Sequence, residues 1–186
     1  MRKSVTLTIY SALLTGVLGC FLATPARAQL NSTPQTVALA AAKAESLSVT
    51  VTTPGPVNFS PLTGTITAGS VIPAWTTNWF LVPQRNQVAV CVYLSGALSG
   101  TGGNTDTIPA ANVQGQPGGT GSFTALTGTA CGQSNALSIS ATAINNGNRT
   151  NGSKNDSVAL RINESGLSLS ADTYNGTLNI IAQATP

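Results

Sequence analysis

The chain has 186 residues, 41% of them apolar and only 7% charged, with a formal net charge of +3 and no histidine. The excess charge is confined to the start: Arg2, Lys3 and Arg27 precede residue 29, and residues 29–186 hold five cations against five anions. A neutral chain with scattered Lys and Arg offers no basic stripe for a phosphate backbone, which excludes nucleic acid as an expected partner. A high apolar content with low net charge is also the opposite of a disordered composition.

Residues 1–28 read as a secretory signal peptide. Basic Arg2 and Lys3 precede an apolar run over residues 10–23, and the small-x-small site Ala26-Arg27-Ala28 stands directly before Gln29. A competing reading takes Val17-Leu18-Gly19-Cys20 as a lipobox with Cys20 lipidated, but the apolar run continues past Cys20 and leaves the Ala26–Ala28 site without a purpose. No other segment reaches the roughly 20 apolar residues needed to cross a bilayer, so no transmembrane segment is expected after signal removal. The expected location is the periplasm, the cell surface or the medium.

Residues 29–35 read as a short flexible leader and residues 36–186 as one β-sandwich domain, long enough to bury about two thirds of its unfolded surface. Residues 36–44 are expected to be extended, and a clear period of two begins at Ser46, with Leu47, Val49 and Val51 on one face. Further strands are expected over residues 57–60, 63–67, 74–82, 87–94, 122–127, 136–144, 157–163 and 173–184, separated by turn clusters at sandwich or barrel spacing. Strand 87–94 is apolar on both faces (Val88, Val90, Val92 and Leu94 against Ala89, Cys91 and Tyr93), the mark of a covered central strand. Polar loops are expected at 100–106, 115–121 and 145–155, where Gly and Asn permit positive φ.

After signal removal the cysteines are Cys91 and Cys131. An even pair in an exported chain predicts a disulfide, worth about 4 kcal/mol for a loop of about 40 residues in the chain-entropy model. A zinc site lacks ligands, and a catalytic thiol lacks a His to activate it. The absence of His also removes the common catalytic triads. The carboxylates Glu45, Asp106, Asp156, Glu164 and Asp172 form no glycosidase or calcium motif, although Asp106 and Asp156 fall in loops rich in oxygen donors. No catalytic residue, metal ligand or cofactor is assigned, and the protein is expected not to be an enzyme.

Trp75, Trp79 and Tyr93 remain as candidate ligand residues. Trp75 and Trp79 share a face of one strand, which fits either a core or a planar platform for a sugar ring; the platform needs an exposed indole. With loop Asn side chains these aromatics would make a carbohydrate-binding module for a polysaccharide.

The closing run Ala171-Asp172-Thr173-Tyr174-Asn175-Gly176-Thr177-Leu178-Asn179-Ile180-Ile181-Ala182-Gln183-Ala184 resembles the last strand of secreted bacterial β-sandwich subunits, the spore-coat-U-like and fimbrial pilin-like families. The resemblance implies an immunoglobulin-like or pilin-like antiparallel sandwich in a surface or extracellular matrix setting. The cysteines depart from it, since the paired cysteines of chaperone-usher pilins sit nearer the mature N-terminus. The leading expectation is a non-enzymatic structural, adhesin-like or matrix subunit that self-associates or joins other surface proteins. Such subunits can be joined by adding a leader or an edge strand to a neighbour.

Overall fold

The structure is a computed structural model and describes Thr33 and residues 35–186; the signal peptide, Cys20 and the Ala26, Ala28 and Gln29 site lie outside the described residues. From Lys43 to Pro186 the chain forms one compact unit. Residues 35–45 have no secondary structure and are exposed. The strand expected over 36–44 is absent: among the described residues this segment has no ladder partner.

The unit is an all-β antiparallel sandwich. One sheet runs in the order β1 (Ser46–Thr53), β3 (Ala74–Phe80), β11 (Gly152–Asn163), β7 (Val113–Pro117) and β8 (Thr124–Ala125), and β2 (Ile66–Ala68) pairs with the far half of β11. The facing sheet has the order β13 (Leu178–Thr185), β4 (Gln87–Leu94), β10 (Gln133–Ala143) and β9 (Gly128–Ala130). A small third sheet joins β12 (Tyr174–Asn175), β5 (Leu98–Gly100) and β6 (Thr107–Ile108).

The pattern of two decides which residues fill the space between the sheets. Val88, Val90, Val92 and Leu94 of β4 meet Val158, Leu160 and Ile162 of β11, all buried. As its two apolar faces predicted, β4 is central in its sheet, paired on both sides. Cys91 faces away from the core yet is 1% exposed, covered by its disulfide to Cys131, whose Cα lies 6.1 Å away across a sequence separation of 40. A bulge between Ser138 and Ser140 alters the alternation in β10: Leu137 opposes Val92, and Ser140 then opposes Val90, so both point inward. Ser140 is accommodated there because its hydroxyl donates to Asp156 Oδ2 at 2.8 Å on the facing sheet. Among the described residues no helix is long and apolar enough to cross a membrane.

Candidate functional site

The edge strands β1 and β13 lie against one another along one side of the sandwich. Among the described residues neither has a second ladder partner. At one end Arg85 ties them together, with Nη2 3.2 Å from Glu45 Oε2 just before β1 and Nη1 donating to the Ala184 carbonyl of β13 at 3.4 Å. The same ion pair and the Val82 N–H hold the Glu45 carboxyl below its ordinary range. At the other end the sheets part around a groove of about 1580 Å³. Drug-sized ligand pockets run to about 1,000 Å³, so the groove has room for a peptide segment.

Apolar side chains among its lining reach the core. Val51, Val57, Phe59 and Leu62 line the side of β1, Leu167, Leu169, Leu178 and Ile180 line the side of β13, and core residues Leu94, Ile108, Leu160 and Ile162 form the floor. Two unpaired strand edges over an open core supply what a strand needs: backbone groups to pair with, and apolar space for alternate side chains.

Polar side chains fix both rims. At the outer rim Asp172 receives the Gly102 N–H on both oxygens at 2.8 Å, the Thr173 N–H at 2.6 Å and the Asn104 side-chain amide. These bonds, the Gly102 amide foremost, hold the Asp172 carboxyl below its ordinary range. Asp106 is likewise lowered, by Ser170, whose N–H it accepts at 2.8 Å. Tyr174 donates to the Ser170 carbonyl at 2.8 Å; desolvation first, then the charges of Asp106 and Asp172, push its phenol up. At the inner rim Glu164 is buried, 6% exposed, and accepts the Gly64 N–H at 2.5 Å, the Thr67 hydroxyl at 2.7 Å and the Thr63 N–H at 3.3 Å.

Of the two readings open for Trp75 and Trp79, core or sugar platform, the structure has the core. Trp75 and Trp79 are 1% and 4% exposed and belong to the core between the sheets, so neither presents a ring face to a sugar. Tyr93 is half-buried on the opposite face of β4 from the core residues Val92 and Leu94, apart from both indoles. Alternation placed the two indoles on one face but carried no information on which face is covered. Asp106 and Asp156 are also kept apart, one at the groove rim and one between the sheets beside Ser140 and Lys154. Among the described residues no three Cys, Asp or Glu side chains converge as a metal-ion ligand set. The sequence marks parts of the groove as extended, at residues 57–60 and 173–184, but not their assembly: residues of β1, β11 and β13 meet the unpaired stretches 54–62 and 167–171 only in three dimensions.

The fold therefore defines the class as a disulfide-closed, all-β antiparallel sandwich with an open, partly apolar groove between its edge strands β1 and β13. No family model matches the chain, and no curated protein matches it. Among solved structures it is similar to a chain from work on a chaperone-tip adhesin complex in CFA/I fimbriae biogenesis, at 10% identity and a TM-score of 0.39. The likeness covers 75% of this chain and 42% of that one.

Proposed function

We propose that this chain is an exported, non-enzymatic structural subunit of a surface or extracellular assembly, and that residues 36–42 of one copy add as a strand to the groove of the next. The observation that carries this reading is a match between two parts of the same chain. Val37 and Leu39 are 82% and 93% exposed in a segment with no ladder partner among the described residues, and the groove exposes apolar side chains between two edges that are likewise unpaired among them. Thr36-Val37-Ala38-Leu39-Ala40-Ala41-Ala42 carries apolar side chains at strand spacing, and no charged residue occurs from Gln29 to Ala42. Burying it therefore desolvates no ion, while its backbone gains ladder hydrogen bonds. The charge balance of residues 29–186 removes repulsion between copies. The disulfide supports export to an oxidising compartment. The lack of any His supports a structural rather than a catalytic role.

The test is the oligomeric state of the purified, signal-free protein by light scattering over a range of concentrations, beside a Val37→Asp/Leu39→Asp variant. The wild type is expected to form concentration-dependent oligomers and the variant to stay a folded monomer, since both side chains are exposed in the single chain. A wild type that remains monomeric at high concentration overturns the reading.

A further inference from the structure

We propose that the Glu164 carboxylate is a latch holding residues 54–64 as the chain's own plug at the mouth of the groove, and that its release admits the strand of a second copy. The proposal rests on the strand-addition reading and concerns its regulation.

Residues 54–62 form a continuous stretch of groove wall but belong to no ladder. Within this stretch Val57 and Phe59 are half-buried against the core while Asn58 and Ser60 are exposed, a strand-like alternation without a sheet. Val57-Asn58-Phe59 thus presents two apolar side chains two residues apart, as Val37-Ala38-Leu39 does in the leader. The loop covers the open end of the core with the kind of side chain that a donated strand would bring.

Besides the packing of Val57, Phe59 and Leu62 on the core, its polar fastenings are few. Asn58 and Ser70 bond reciprocally, the Asn58 N–H to Ser70 Oγ at 3.0 Å and the Ser70 N–H to the Asn58 carbonyl at 2.9 Å. The other fastening is Glu164, which takes the amides of Thr63 and Gly64 and the hydroxyl of Thr67; that hydroxyl also lies 3.3 Å from the Pro61 carbonyl. Gly64 has φ of +86°, which gives the loop a turn at its fastened end that other residues rarely adopt.

Glu164 is the one charged residue buried among the described residues, and neither ion pair among them includes it. A buried carboxylate without a cation recovers its desolvation only through the hydrogen bonds it accepts. Opening the loop breaks those bonds but returns the carboxylate to water, so the closed state is held less firmly than an apolar fastener of the same size would hold it. A permanent wall gains nothing from such a group. A plug that must leave when a better apolar partner arrives does.

The experiment uses the full signal-free chain carrying Val37→Asp/Leu39→Asp, so that its own leader does not compete, and a fluorescent synthetic peptide of residues 33–45 as donor. Glu164→Gln keeps the size but turns an amide N–H toward the donors of Thr63 and Gly64. Thr67→Val removes one bond and keeps the shape, so it carries the test if the first variant folds poorly. Loss of charge-assisted bonds is expected to speed hydrogen exchange over residues 57–64 by about tenfold in Glu164→Gln and less in Thr67→Val, with peptide uptake accelerated in the same order. Unchanged exchange in both variants overturns the latch. Faster exchange with unchanged uptake overturns the gate while leaving strand addition intact. No uptake by any of the proteins overturns strand addition itself, and the gate with it.

Discussion

Gly152 lies against the indole of Trp79, its register partner on β3, so closely that a Cβ at residue 152 would come within 1.9 Å of the ring. The ring has no easy retreat: it is 4% exposed and its Nε1 donates to the Asn148 carbonyl at 2.9 Å. Gly152→Ala is therefore expected to destabilise the fold by about 3 kcal/mol, the upper part of the range for overpacking a core. Urea unfolding monitored by tryptophan fluorescence measures this, and a loss below about 0.5 kcal/mol, the scale of an ordinary surface substitution, contradicts it.

The same pair shows where the sequence stops being legible. Residues 145–155 read as an Asn- and Gly-rich loop, yet β11 begins at Gly152, because Ser153-Lys154-Asn155-Asp156 pairs residue for residue with β3. Pairing within a sheet overrides the low strand propensity of those residues. Where side-chain chemistry and burial agreed, the reading held: β4 is central, Cys91 pairs with Cys131, and Leu178 and Ile180 of β13 pack on the core. The bulge that turns Ser140 inward leaves no mark in a pattern of two, and the strand expected over residues 36–44 is absent, since an apolar alternation does not say whether a ladder partner exists. Residues 57–60 show the converse, an alternation that is real but unpaired. The groove needed three dimensions, since its two walls are more than a hundred residues apart in sequence, at Val57 and Ile180.

Thr77 is fully buried and its Oγ1 has no hydrogen-bond partner. A hydroxyl left unpaired in the core costs more than the methyl of the same shape that replaces it. Thr77→Val is expected to stabilise the protein by about 1 kcal/mol, whereas Thr77→Ser, which keeps the hydroxyl and opens a methyl-sized void, is expected to destabilise it by a similar amount. Thermal unfolding of both variants decides this; a destabilised valine variant would mean that the hydroxyl is satisfied.

The Cys91–Cys131 bridge spans β10 and fastens the turn before it onto β4. With a sequence separation of 40, replacing both residues by Ala is expected to lower unfolding free energy by about 4 kcal/mol, through a denatured chain no longer cross-linked. Because the bridge lies on the outer face of its sheet, away from the groove, strand uptake by the folded fraction is expected to be preserved. Guanidinium unfolding and the peptide-binding assay separate the two effects; equal loss of binding and stability would place the bridge in the assembly step.

Asp172 and Asp106 make the outer rim of the groove acid-sensitive, and the direction follows from their shifts. Both carboxyls titrate below their ordinary range when folded, Asp172 chiefly through the Gly102 amide and Asp106 through Ser170. The stabilisation they provide is thus fully present above the ordinary carboxylate range and is lost as pH falls through their lowered folded values. Acid is expected to release the 101–106 turn and residues 170–174 from one another before it disturbs β4, whose hydrogen bonds involve no titrating group. NMR titration of the Gly102 and Ser170 amides is expected to give midpoints below that of an ordinary aspartate. In Asp172→Asn the Gly102 transition disappears. In the same variant the Tyr174 phenol, held up in part by the Asp172 charge, titrates at lower pH than in the wild type. A Gly102 midpoint at or above the ordinary aspartate value, or a Tyr174 titration that does not move, removes Asp172 from its assigned role at the rim.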